Sequence, residues 1–151
     1  MSTPIKDPSE YAKLPKGTRF LWGATTDATE ALKLLKDADA VGATGKKSSF
    51  VDVTRLIDTS KKFMADMSEG PDKEFVFLDD PTDVDLKAFL AAADGDQTVK
   101  VRIEFPNGRW ADMIIALAGW ELQELDKGSP MKVVVSGKQN DITRGITAPA
   151  A

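Results

Sequence analysis

Asp80–Gly137 reads DPTDVDLKAFLAAADGDQTVKVRIEFPNGRWADMIIALAGWELQELDKGSPMKVVVSG, and this stretch decides the fold. Asp80 is the expected N-cap of a helix, Pro81 takes its first position, and Gly95 is the expected C-terminal stop. Between them, apolar side chains recur on one face at helical spacing: Leu86, Phe89, Leu90 and Ala93. The stretch therefore begins with a single short helix.

Strands follow this helix. Positions 97–105 alternate apolar and charged side chains, which is typical of a half-buried strand. Pro106-Asn107-Gly108 predicts a hairpin turn, because Asn-Gly tolerates the positive φ that tight hairpins require. Positions 109–125 could be helical by periodicity alone, but the turn before them favours a long strand, in which Gly119 allows a bend or bulge. Positions 131–136 predict a further, β-branched strand.

The N-terminal half is less regular. Positions 17–23 and 73–78 predict strands. Positions 31–44 are ambiguous, because their leucines fit either a strand or a helical turn, with a strand following at 40–43. We therefore expect a mainly β fold with one flanking helix. Its organisation would be an extended N-terminal arm at 1–16, a β domain at 17–138 and a polar C-terminal tail at 139–151.

Composition restricts the function. The chain has 151 residues with no cysteine and no histidine, which removes disulfides, Cys or His zinc sites and Ser-His-Asp triads. Its net charge of −4 disfavours tight nucleic-acid binding through phosphates. The N-terminus lacks an apolar signal-peptide core, and no run approaches the ~18 apolar residues of a membrane span. We expect a soluble, non-enzymatic protein without metal, cofactor or membrane insertion.

Two clusters of residues could carry chemistry but have simpler interpretations. A group of aspartates could bind a metal, yet helix capping accounts for it: Asp79, Asp80, Asp83 and Asp85. Three tryptophans could form a sugar-binding platform, yet aromatic residues on sheets more often lie in a core or interface: Trp22, Trp110 and Trp120.

The segment 45–72 is long and lacks a clean period, with one plausible strand at 50–53. Long structureless loops are uncommon in compact domains and are usually functional or disordered. Disordered loops are poor in large apolar residues, but this one carries Leu56, Ile57, Phe63, Met64 and Met67. The loop therefore needs a surface against which to bury them.

The chain resembles the major tail tube proteins of long-tailed bacteriophages over roughly positions 17–137. The resemblance is carried by the order of several segments and not by one diagnostic motif. They are VDVTRL (51–56), DTSKKF (58–63), the DPTD helix with LKAFL (86–90), RIEFPNG (102–108), a long strand, and a VVVSG strand.

This resemblance implies a β-sandwich or barrel-like subunit that forms hexameric rings, which stack into the tube of the virion tail. It implies assembly in the host bacterial cytoplasm, with a tape measure protein, a tail terminator and tail-tip proteins as partners. Phage DNA would pass non-specifically through the lumen during ejection. The loop 45–72 would contact neighbouring rings through Lys46, Lys47, Arg55, Leu56, Ile57, Lys61, Lys62, Phe63, Met64 and Met67.

An acidic lumen would repel phosphate and let DNA slide. The strands that would line the bore supply four acids for that role: Glu104, Asp112, Glu121 and Glu124. Two alternatives stay open at this point. One is a monomeric carbohydrate-binding β-sandwich that uses the tryptophans, and the other is the tube protein of a contractile injection or secretion machine.

Overall fold

The computed structural model describes residues 5, 7–11, 16–42, 44–67 and 70–147. These residues form two helices, a short 3-10 turn at Thr29–Ala31 and nine strands. The helices are α1 (Pro8–Tyr11) and α2 (Val84–Asp94). The strands are β1 (Arg19–Gly23), β2 (Lys33–Leu34), β3 (Ala38–Ala40), β4 (Phe50–Asp52), β5 (Phe63–Ala65), β6 (Asp72–Leu78), β7 (Thr98–Glu104), β8 (Arg109–Leu122) and β9 (Lys132–Ile146).

Seven of the described strands form one antiparallel sheet with the order β2-β1-β7-β8-β9-β6-β3. Alternation along the strands sends one set of side chains into the core, because successive residues point to opposite faces. Helix α2 covers this face with Leu86, Phe89, Ala92 and Ala93. The sheet contributes Phe20, Phe75, Phe77, Val99, Val101, Ile103, Met113, Ile115, Leu117, Val133 and Val135, each at most 2% exposed.

The sheet curls until its two sides meet. Phe20 on β1 contacts Phe75 and Phe77 on β6 with ring centroids 5.0 and 5.2 Å apart, although β7, β8 and β9 lie between those strands. The ambiguous segment 31–44 contains the two edge strands: β2 pairs with β1, and β3 pairs with β6. It thereby crosses from one edge of the sheet to the other. The expected mainly β, barrel-like fold with one flanking helix is confirmed.

The start of α2 corrects one prediction. Asp83, not Asp80, is the N-cap, and its Oδ1 accepts a hydrogen bond from Asp85 N at 3.1 Å. Asp80 instead closes the preceding turn, because its Oδ1 accepts from Thr82 N at 3.0 Å and from Thr82 Oγ1 at 2.6 Å. Pro81 therefore lies in that turn. Both aspartates are suitable N-caps by residue type, and the position of the apolar face of the helix determines which of them caps it.

The predicted glycine positions are occupied as expected, with differences in geometry. Gly95 is the C-cap of α2, but its φ is −83° and the left-handed conformation falls on Asp96, with φ 53°. Gly108 has φ +93° in the β7–β8 turn. Gly119, with φ +85°, lies within the predicted bulge, where the register between β8 and β9 shifts.

The expected C-terminal tail is wrong as far as Ile146. Positions 139–146 continue β9 and pair with the first half of β8, as in Met113↔Ile142. Without them, that half of β8 would present an unpaired edge, which proteins avoid. Positions 148–151 lie outside the described residues.

The N-terminal arm was expected to be extended, but its described part includes α1. Asp7 Oδ1 accepts hydrogen bonds from both N and Oγ of Ser9, each at 3.0 Å, and Pro8 is the first helical residue. This is the arrangement of an N-cap followed by proline, which favours a helical start. Positions 1–4, 6 and 12–15 of the arm lie outside the described residues.

Candidate assembly surfaces

The segment between β3 and β6 contains a hairpin that is separate from the large sheet. Its strands β4 and β5 pair only with each other in the described sheets, which confirms the strand predicted near 50–53 and adds a second that the sequence did not indicate. Two backbone hydrogen bonds extend the ladder: Val53 N to Lys62 O at 2.9 Å and Asp66 N to Ser49 O at 2.8 Å.

Side-chain hydrogen bonds shape the end of this hairpin. Asp52 Oδ1 accepts from Thr54 N at 2.9 Å, and Thr54 Oγ1 accepts from Lys62 N at 2.9 Å. Asp58 accepts from Arg55 N at 2.8 Å and pairs with the Arg55 guanidinium at 3.0 Å. Bonds from the Arg55 side chain and backbone lower the pKa of Asp58, and bonds from Thr54 lower the pKa of Asp52. The hairpin is thus shaped by local polar contacts.

The apolar side chains of the hairpin are exposed to solvent. Their exposed fractions run from 40% to 106% for Phe50, Val51, Val53, Leu56, Ile57, Phe63, Met64 and Met67. An isolated two-stranded hairpin is at best marginally stable in water, and contiguous exposed apolar surface usually marks an interface. The predicted basic residues are exposed too: Lys46, Lys47, Arg55, Lys61 and Lys62. The structure therefore brings seven of the ten predicted contact residues into the hairpin itself, with Lys46 and Lys47 just before it and Met67 just after it.

A second exposed apolar surface, not identified from the sequence, lies where β8 and β9 are joined. Leu122 pairs with Val133, and Asp79 N donates to Met131 O at 3.1 Å, so β6, β8 and β9 end together here. We call its apolar residues the end patch. They are Leu122, Leu125 and Met131, with exposed fractions of 45% to 67%.

Two of the four predicted lumen acids are ion-paired on the sheet face opposite α2. Arg102 lies between them, with Nε 3.1 Å from Glu104 Oε2 and Nη1 3.2 Å from Asp112. Arg19 also contacts Glu104 at 3.1 Å, and the Arg102 guanidinium lies 4.5 Å from the centroid of the Trp110 ring. These two carboxylates therefore present a balanced charge and not an open acidic surface.

The other two acids are elsewhere. Glu121 lies on β8 beyond the bulge, opposite Val134, and Glu124 lies in the connection to β9; both are exposed. They belong to the same end of the sheet as the end patch. The structure thus separates the four predicted acids into two pairs at different ends of β8.

The three tryptophans do not form one platform. Trp22 packs in the core side against Phe89, with ring centroids 5.2 Å apart, and Trp120 also packs against the core. Trp110 lies on the opposite face beneath Arg102. The sugar-binding alternative loses the shared aromatic surface on which it depended.

Other sites receive no support from the described part of the chain. It contains no group of three or more carboxylate, histidine or cysteine side chains that could hold a metal ion. None of its helices is long and apolar enough to span a membrane. The two apolar surfaces are therefore the main candidates for function.

Solved tail and tube structures share this fold. One chain of the sheath–tube complex of an extracellular contractile injection system aligns with TM-score 0.66 and 10% identity, covering 97% of this chain and 100% of that one. A chain from the tail of a gene transfer agent particle, refined with C6 symmetry, aligns with TM-score 0.64 and 11% identity, covering 91% and 100%.

The tail tube of phage SPP1 aligns with TM-score 0.62 and 11% identity, covering 86% of this chain and 77% of that one. No curated protein sequence matches the chain. A phage tail tube protein family matches residues 13–147. Because that match spans most of the sequence, the chain belongs to the phage tail tube protein family.

Proposed function

We propose that this structural tube protein assembles into six-fold rings that stack into a tail tube, and that the tube conducts DNA. The observation that carries the proposal is the β4–β5 hairpin, whose strand residues are all exposed. A subunit with a complete core of its own does not need these apolar residues for folding. A second copy is the surface against which they can be buried.

We propose six-fold symmetry because solved structures with this fold come from six-fold assemblies. The gene transfer agent tail was refined with C6 symmetry, and another structure with this fold is a six-fold symmetrised baseplate of the anti-feeding prophage. Contacts between two different surfaces can close identical subunits into a ring. Contacts of the same heterologous kind that repeat along the axis can stack the rings into a tube.

The hairpin and its preceding lysines are proposed to form the contact between rings. Mixed charges around an apolar surface contribute more to register and specificity than to affinity. The Arg55–Asp58 pair, 3.0 Å apart, holds the apolar Leu56 and Ile57 at the end of the hairpin. This arrangement presents the two most exposed aliphatic residues of the hairpin between fixed polar contacts.

For the lumen, we propose the sheet face that carries Glu104 and Asp112, together with Glu121 and Glu124. The ion pairs of Arg102 with two of these acids leave a face with little net attraction for phosphate. The proposed partners are a tape measure protein inside the tube, and terminator and tip proteins at its ends. Assembly would take place in the host bacterial cytoplasm, and no catalytic role is proposed.

The test is assembly of the purified chain at rising concentration, followed by negative-stain electron microscopy and sedimentation velocity. We expect rings and tubes from the wild type and loss of tubes from a Leu56→Ser, Ile57→Ser double variant. Val84→Ser, which removes a side chain 74% exposed on α2, serves as the matched control and should assemble normally. A wild-type chain that stays monomeric under all assembly conditions would contradict the proposal.

A tube inside a contractile machine is the second candidate. The observation that favours it is the likeness in fold to a chain of a sheath–tube complex. Genes for a contractile sheath next to the gene for this chain would support it, and their absence would favour a non-contractile tail.

A further inference from the structure

We infer that Asn107 is a site of spontaneous deamidation, in which Gly108 N displaces the side-chain amide and a new carboxylate forms beside an arginine-lined cleft. The modification needs no enzyme, and water is its only co-reactant. It concerns the β7–β8 turn and is independent of the proposed tube function. Two features favour it, the geometry of this turn and the charge of the cleft next to it.

The β7–β8 turn brings the two reacting groups together. Asn107 is exposed, and its Oδ1 accepts a hydrogen bond from Arg109 N at 3.1 Å. This bond folds the side chain back toward the main chain that follows it, where Gly108 N lies. Gly108 has no Cβ to obstruct the approach of its nitrogen to Asn107 Cγ. The nucleophile and the amide carbon are therefore neighbours in the folded chain.

One hydrogen bond of the turn opposes the attack. Gly108 N donates to Phe105 O at 3.1 Å, and this bond must open before the nitrogen can reach Asn107 Cγ. Opening costs little free energy at the exposed end of a hairpin, because such ends are among the least stable parts of a fold. The turn thus keeps the reacting groups close without fixing them in place.

The reaction passes through a cyclic imide. The deprotonated Gly108 N bonds to Asn107 Cγ, and the resulting oxyanion forms on Oδ1, where the Arg109 N–H already donates. The Cγ–Nδ2 bond then breaks, and ammonia leaves with a proton from water. Water opens the imide at either carbonyl and gives aspartate or isoaspartate. The balance is one side-chain amide and one water converted to one carboxylate and one ammonium ion.

The cleft beside the turn stabilises the negative charge that develops on this path. It has a volume of about 640 Å³, and Arg109 and Arg144 are the charged residues among the described ones that line it with Asn107. Neither guanidinium is ion-paired with a carboxylate in the part of the chain that the structure describes. The nearest preceding acid in the sequence, Glu104, is already held by two other arginines at 3.1 Å each. A carboxylate at position 107 would therefore supply the counter-charge that the cleft lacks.

The isoaspartate product would also alter the end of β9. Thr147 N donates to Gly108 O at 2.7 Å, and a Cβ added at Gly108 would lie only 2.8 Å from Thr147 O. The turn and the strand end are therefore in close contact. Isoaspartate adds one methylene to the main chain at this point, so we expect it to release the Thr147 contact, whereas aspartate should keep it.

Timed incubation of the purified chain at physiological temperature and mildly alkaline pH tests the site, with peptide mass spectrometry as the readout. The chain has two asparagines, and Asn140 in β9, followed by Asp141, is the internal reference. The peptide with Asn107 should gain the mass difference between NH and O, with release of ammonia and an acidic shift on isoelectric focusing. Asn140 should stay intact. Asn107→Gln should abolish these changes, because its longer side chain would have to close a larger ring.

Arg144→Gln tests the contribution of the cleft. Its deamidation rate should fall about two- to fivefold, the effect of one exposed charge. Lys87→Gln removes an exposed lysine of α2 outside the cleft and is the matched control, which should keep the wild-type rate. In concentrated urea both variants should react at the wild-type rate, because position 144 no longer lies near Asn107.

Several results would overturn the inference. Asn107 that stays intact in the folded chain while it deamidates in urea would show that the turn protects it. Equal rates at Asn107 and Asn140, or no reaction in either state, would remove the special role of the turn. Equal rates for folded Arg144→Gln and Lys87→Gln would remove the role of the cleft. None of these results affects the proposed tube function, which depends on a different surface.

Discussion

The large sheet buries its phenylalanine side chains, whereas the β4–β5 hairpin exposes them. Phe75 and Phe77 are fully buried in the sheet, whereas Phe50 and Phe63 are 75% and 58% exposed on the hairpin. Burial of a phenylalanine side chain stabilises by about 1.5–3 kcal/mol, so the sheet gains this within one subunit. Under the proposed function, the hairpin phenylalanines would contribute a similar gain to association. One region provides the fold, and we propose that the other provides contacts for assembly.

The largest test of this comparison is one substitution made in both regions. Phe75→Ala should lower the free energy of unfolding by about 3–5 kcal/mol, because it leaves a cavity beside Phe20. Phe50→Ala should change monomer stability by less than about 0.5 kcal/mol. Chemical denaturation of both variants, below the concentration of assembly, measures the difference. Equal losses would mean that the hairpin packs on the sheet in the free subunit.

Substitutions at two glycines, one in the packed sheet and one in the β8–β9 connection, should show a smaller difference in stability. A Cβ at Gly137 on β9 would lie 2.7 Å from Ile115 Cγ2 and 3.0 Å from Ala116 O, so Gly137→Ala should cost about 1–3 kcal/mol. Gly128, in the β8–β9 connection, has no neighbour within 4 Å of that position, and Gly128→Ala should be near neutral. Thermal melting of the two variants measures this, and a tolerated Gly137→Ala would question the tight β8–β9 packing.

Replacing an arginine should also cost more stability in the sheet than in the hairpin. The Arg102 side chain is 11% exposed and balances both Glu104 and Asp112, so Arg102→Met should cost about 1–2 kcal/mol by leaving carboxylates without their partner. The Arg55 side chain is 73% exposed, and Arg55→Met should cost less than about 1 kcal/mol. The denaturation midpoints of the two variants measure the difference in stability. A larger loss for Arg55→Met than for Arg102→Met would contradict the charge balance described for the sheet.

The smallest expected effect is a pH response confined to the hairpin. The lowered pKa values of Asp52 and Asp58 mean that their hydrogen bonds stabilise the hairpin fully above the ordinary value of 3.8. This contribution is lost as the pH falls below 3.8 through the folded-state values. Amide chemical shifts of Thr54 and Arg55 should move in that window, and Asp58→Asn should abolish the response of Arg55. Unchanged shifts would argue against these turn contacts.

Much of the large sheet could be predicted because its sequence signals are local. The alternation in β7, the glycine at 108 and the glycine at 119 indicate a strand, a turn and a bulge whatever surrounds them. The exact N-cap could not be predicted, since Asp80 and Asp83 both suit it. The second half of β9 was missed because its many polar residues hide the alternation that the first half shows.

The candidate site was predictable only in part. The large apolar residues of segment 45–72 indicate an unburied surface, but Phe63–Ala65 is too short to reveal a strand by alternation. The end patch was missed because the exposure of Leu125 and Met131 depends on how three strands end together. The ion pairs of Arg102 likewise join residues on adjacent strands, and a linear sequence does not give that register.

Hydrogen exchange in the free subunit and in assembled tubes tests the central claim most directly. The amides of β4 and β5 should exchange rapidly in the free subunit and become strongly protected in tubes. The core amides of β6 and β8 should be protected in both states and serve as the internal reference. Equal protection of the hairpin in the two states would contradict the claim that its apolar residues are buried by assembly.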